Sequence, residues 1–165
     1  MARATAAPPY RRQFEELAGF AMPSRRVNRP QDRLTRADAL FELLARSIFE
    51  RPSLGRALAR RLPRWLALEP NSEELWALAG YVFYCLRSYR QAERAFLRAI
   101  ALAPDNLDDW LDLAMTLRHL GHPLGARLIL EHDRFMAAYR RTRTGRLDRP
   151  VLSRLSRLLA AQEAG

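Results

Sequence analysis

The stretch Trp76–Pro104, WALAGYVFYCLRSYRQAERAFLRAIALAP, decides the fold. In its second half small residues recur at Ala92, Ala95 and Ala99 around one bulky Phe96, and Pro104 stops the run. Alanine leaves almost no side chain between backbones, so a helix that buries alanines invites another helix to press close. A partner stands just before it. Trp76, Ala79, Gly80 and Phe83 lie at spacings of three and four, the period of one helix face. Arg87-Ser88 is the expected turn between the two. Shifted by 34 residues the pattern returns, since Trp76 falls on Trp110, Ala92 on Ala126 and Phe96 on Leu130, while Pro104 shifted back falls on Pro70.

Outward from this core the pattern stays helical. Leu40, Leu43, Leu44, Ala45, Ile48 and Phe49 predict a helix from Thr35, with Thr35 and Asp38 as a capping box. Pro52 closes it. A second run carries Leu54, Ala57, Leu58 and Leu62, and Pro63 is expected to kink or end it. Asn71 with Glu74 predicts a cap, and Asp105 another, ahead of a helix over 107–120. Gly121-His122-Pro123 reads as a turn. A helix with Leu124, Ala126, Leu128, Ile129 and Leu130 follows, to about Tyr139, and then an amphipathic one with Leu152, Leu155, Leu158 and Leu159. Residues 1–34 carry Pro8, Pro9, Pro23 and Pro30 and are expected to be a poorly ordered basic segment, apart from a short helix near Gln13–Gly19. No strand-like alternation occurs, so the expected class is all-α.

The period and residue types resemble the tetratricopeptide repeat. Residues 73–106 carry Trp76, Ala79, Gly80, Phe83, Ala92, Phe96, Ala99 and Pro104, with Ala79 where the family has leucine and Phe83 where it has tyrosine. Residues 107–138 carry Trp110, Leu113, Ala114, Leu117, Ala126 and Leu130, with Ala138 in place of the closing proline. Residues 39–72 keep little beyond Pro70. The resemblance implies a superhelix of about three antiparallel helix hairpins over 35–139, with 140–165 as basic linker and C-terminal capping helix. Gly80 and Ala92 would sit where paired helices cross.

The resemblance also implies a use. Such proteins hold a protein segment on a concave face lined by the first helix of each pair, here Leu43, Ser47, Ala77, Tyr81, Tyr84, Leu111, Met115 and Arg118. The family's grip on a terminal carboxylate uses Lys, Asn and Arg. This chain has no lysine and only Arg118 is placed to serve, so an apolar or helical segment is the expected guest. The implied role is a non-enzymatic adaptor or chaperone. Chaperones of type III secretion translocators share this architecture, but they are usually acidic. The competing reading has Tyr81 and Tyr84 packed against a neighbouring helix.

Charge supplies the alternative function. All 28 basic residues are arginine, against 18 acids, for a net charge of +10. With abundant Ala and Leu this suggests a GC-rich, bacterial coding bias. Residues 1–68 carry +8, residues 69–133 carry −4 and residues 134–165 carry +6. Arg140, Arg141, Arg143, Arg146 and Arg149 therefore form a basic flank suited to RNA or DNA phosphates or to an anionic membrane surface; a solvated basic face, or one docked on an acidic partner or on the acidic middle, is the competing reading. His119, His122 and His132 lack metal-ligand spacing, and the acids of DNLDDWLD suit a helix N-terminus, where they offset the dipole. Cys85 is the single cysteine and reads as a small core residue. No nucleophile stands beside a base. The expectation is no enzyme, no cofactor, no metal and no membrane span, in a cytoplasmic protein whose oligomeric state is open.

Overall fold

The first N–H groups of a helix have no partner within it, so proline at the first position loses nothing. Three helices begin this way: α1 (Pro9–Ala18), α2 (Pro30–Glu50) and α3 (Pro52–Leu68). They are followed by α4 (Glu73–Cys85), α5 (Tyr89–Leu102) and α6 (Leu107–His119). The computed structural model describes residues 7–22, 30–104, 106–122 and 125–126, with the backbone alone at 30–38 and 107. Among the described residues the chain is all-α, and no helix is long and apolar enough to cross a membrane.

The 34-residue recurrence extends to individual hydrogen bonds. Trp76 Nε1 donates to Pro70 O at 2.8 Å, and Trp110 Nε1 to Pro104 O at 2.9 Å. Ser72 and Asn106, the N-cap residues of α4 and α6, share φ −83° and ψ 104°. After α4, Ser88 N donates to Phe83 O at 2.8 Å; after α6, His122 N donates to Leu117 O at 2.8 Å. Both turns pass through a left-handed residue, Arg87 at φ 58° and Gly121 at φ 77°. The second turn uses glycine, which takes that conformation at no steric cost; Arg87 takes it at a cost of roughly 1 kcal/mol.

α4 and α5 make the most extensive contact, followed by α5 with α6 and α3 with α4. Gly80 is what lets α4 and α5 close. A Cβ there would lie 2.4 Å from Phe96 Cε1. The glycine thus makes room for the aromatic ring, whereas the sequence pattern paired it with Ala92. Ala92, Ala95 and Ala99 are all buried. Gly55 plays a similar part on α3, with Leu86 and Ile48 against it.

Four boundaries depart from the sequence expectation. α2 starts at Pro30, so Thr35 and Asp38 lie inside a helix and form no capping box. Ser72, one residue past Asn71, caps α4 by accepting from Leu75 N at 3.2 Å. Asn106 caps α6 by accepting from Asp108 N at 3.2 Å, a role expected of Asp105. α3 runs through Pro63 to Leu68. Pro63 is exposed, while Leu58, Leu62 and Trp65 beside it are buried. Burial of that stripe outweighs the roughly 3 kcal/mol cost of an interior proline.

The largest correction concerns the N-terminal segment. Pro9–Ala18 is a helix docked on α3, burying Tyr10, Phe14 and Ala18. Tyr10 Oη and Arg11 Nε both donate to Glu74 Oε1, at 2.8 and 2.9 Å. Trp65 Nε1 donates to Gln13 Oε1 at 2.7 Å, and Arg51 Nη2 to Ala18 O at 2.8 Å. Sequence periodicity underrates this helix because its apolar stripe is short and its anchors are polar.

Candidate functional site

An aromatic chain crosses the face where the first helices of successive pairs meet. On α2, Leu40, Leu44 and Ile48 are buried and Phe41 flanks them. Phe41 packs on Tyr81 at 5.3 Å and on Tyr84 at 5.7 Å between ring centroids. Tyr81 continues to Phe96 at 5.6 Å. Tyr84 meets Tyr89 at 5.4 Å and His119 at 5.3 Å, both edge to face. Tyr89 and His119 stack in parallel, 4.6 Å apart. Edge-to-face and offset contacts of this kind contribute about 0.5–1.5 kcal/mol each beyond area burial.

This arrangement divides the expected groove. Ala77, Tyr81 and Leu111 are buried at 1%, 3% and 1% exposure, so they line no open surface. Tyr81 is covered by Phe41 and Phe96, as the packing alternative has it. Leu43 is partly exposed, but it lies two residues from Phe41, more than half a turn round α2 at about 100° per residue. Phe41, not Leu43, is therefore the α2 residue turned toward Tyr84. Ser47 lies nearer Leu43's side and does not join the seam either. What remains accessible at the seam is half-buried Tyr84, half-buried Met115 and exposed Arg118. Met115 and Arg118 are three residues apart on α6, hence on one face. The Tyr84 hydroxyl is pushed up to about 12, chiefly by burial and then by Tyr89, Asp112 and Cys85, with Arg118 pulling it down.

Phe41, Tyr89 and His119 are members that the sequence pattern did not single out. Tyr89 and His119 are helix-end residues, where face periodicity carries little signal. His119 is spent on aromatic stacking, His122 is exposed, and His132 lies outside the described residues. So do Arg140, Arg141, Arg143, Arg146 and Arg149 and the leucines of the expected capping helix. Asp108 and Asp109 are fully buried and Asp112 nearly so, where a solvated helix start was expected.

Burial also fixes the state of Cys85. Its thiol is pushed up to about 11 by loss of water. A group raised in this way favours the neutral form, so its stabilising contribution is present below about pH 9 and is lost as pH rises toward 11. Two pKa units mean about 100-fold less thiolate. Iodoacetamide at pH 8 is therefore expected to alkylate Cys85 at least about tenfold more slowly in the native protein than in urea; equal rates would show an exposed thiol.

Comparisons with protein-family models, with characterised proteins and with solved structures returned no match.

Proposed function

We propose that the chain is a tetratricopeptide-like repeat protein that acts without catalysis, as an adaptor or chaperone holding a segment of another protein. The observation that carries this reading is the 34-residue recurrence, which reaches the Trp76–Pro70 and Trp110–Pro104 bonds. Repeated hairpins cannot bury their apolar faces alone; stacking buries them and leaves a continuous surface along the first helices. On that surface the proposed contacts are Tyr84, Met115 and Arg118. An aromatic, a methionine and an arginine together are typical of side chains that dominate binding energy. The guest is an apolar or helical segment carrying an acidic group for Arg118.

The test is capture from a lysate of the source cells, with partners identified by mass spectrometry. Wild-type protein is expected to retain a protein partner, and the Met115→Glu, Arg118→Glu double variant to lose it at unchanged helicity. Retention by the double variant rejects this face. Absorbance at 260 nm on the purified protein, removed by salt above about 0.5 M, favours nucleic-acid binding through the arginine flanks instead.

A further inference from the structure

Tyr10-Arg11-Arg12 near the start of the chain recurs as Tyr139-Arg140-Arg141 near its end. The first copy has a defined seat, because Tyr10 Oη and Arg11 Nε both donate to Glu74 Oε1. Glu74 is the second residue of α4, and Asp108, 34 residues on, is the second residue of α6. Asp108 and Asp109 are both 0% exposed. Carboxylates so far from water keep their charge only beside a cation or strong donors buried with them. Each takes part in an interaction beyond those described above.

The repeat register indicates which cation. Asn106, which leads one pair, donates from Nδ2 to Glu73 Oε1 at 3.0 Å, over the first turn of the preceding pair. Counted on by 34, the position of Asn106 is Arg140. The register persists past α6, since Ala126 N donates to His122 O as Ala92 N does to Ser88 O. We propose that Arg140, with Tyr139 beside it, docks on Asp108 and Asp109 at the head of α6, as Arg11 and Tyr10 dock on Glu74 at the head of α4. The charge balance agrees, with +6 over 134–165 against −4 over 69–133. Arg140 then belongs to the internal structure and is withdrawn from any phosphate-binding flank.

Full-length Arg140→Gln and Arg146→Gln, each neutralising one arginine, test this by thermal unfolding. Loss of a buried partner is expected to lower Tm by about 10 °C in Arg140→Gln, with a change under about 2 °C in Arg146→Gln. Amide exchange at residues 109–112 is expected to accelerate at least about tenfold in Arg140→Gln, with residues 75–78 of α4 unchanged. Arg140→Gln combined with Asp108→Asn is expected to lose no more than the worse single variant. Equal effects of the two arginines, unchanged exchange at 109–112, or additive losses overturn the proposal. Should Asp108→Asn fail to fold, the exchange comparison decides by itself.

Discussion

Gly80→Ala is expected to destabilise the protein by about 2 kcal/mol in urea unfolding followed by circular dichroism. Alanine in mid-helix ordinarily gains about 1 kcal/mol over glycine, so the sign is the informative part. The added Cβ would lie 2.4, 2.6 and 2.7 Å from three atoms of the Phe96 ring. That ring is 1% exposed and held edge to face by Tyr81, so it has nowhere to move. The second pair carries a different combination at the equivalent positions, Ala114 for Gly80 and Leu130 for Phe96. A smaller apolar side chain thus goes with the larger small residue. In a Phe96→Leu background, Gly80→Ala is therefore expected to cost less than about 0.5 kcal/mol, a coupling expected only of residues in contact. Equal cost in both backgrounds would mean that the glycine serves something other than the ring.

Trp65→Ala is expected to cost about 4 kcal/mol, a large share of the 5–15 kcal/mol that hold a typical domain together. Trp65 is 2% exposed and lies 6.4 Å from Tyr10 between ring centroids. It also donates its indole N–H to Gln13. Its loss removes the floor on which α1 rests, so the effect should be local as well as global. Trypsin is expected to cut after Arg11 or Arg12 at least about tenfold faster in the variant, below its unfolding temperature. Gln13→Ala removes the hydrogen bond alone and should cost about 1 kcal/mol. Wild-type resistance of residues 9–22 in Trp65→Ala would contradict the docking of α1 on α3.

The helical class and the paired architecture were legible because they rest on side-chain size and spacing. Ala92, Ala95, Ala99, Gly80 and the two tryptophans need no tertiary information to be read. Caps were legible only to within a residue, since Asn71 and Ser72 are equally good cap types and the choice between them is geometric. Pro63 was misread because local propensity weighs heavily in a sequence, while burial of Leu62 and Trp65 decides in the structure. The helix α1 was underrated because Arg11, Gln13 and Tyr10 are anchored on residues more than fifty positions away. The face was half legible. Tyr84, Met115 and Arg118 follow from repeat register, but Phe41 depends on how α2 is rotated against α4, and residues 39–72 carry too little of the repeat to specify that.

The proposed binding face depends on one structural unit laid down twice at an interval of 34 residues. Residue-resolved amide hydrogen exchange tests that most directly, at two positions that lie in turns and owe their protection to the repeat alone. Ser88 N–H, bonded to Phe83 O, and His122 N–H, bonded to Leu117 O, are both expected to exchange at least about a hundredfold more slowly than in an unfolded chain. Protection at Ser88 with His122 exchanging at the unfolded rate would contradict the repeat, and with it the surface on which a partner is proposed to bind.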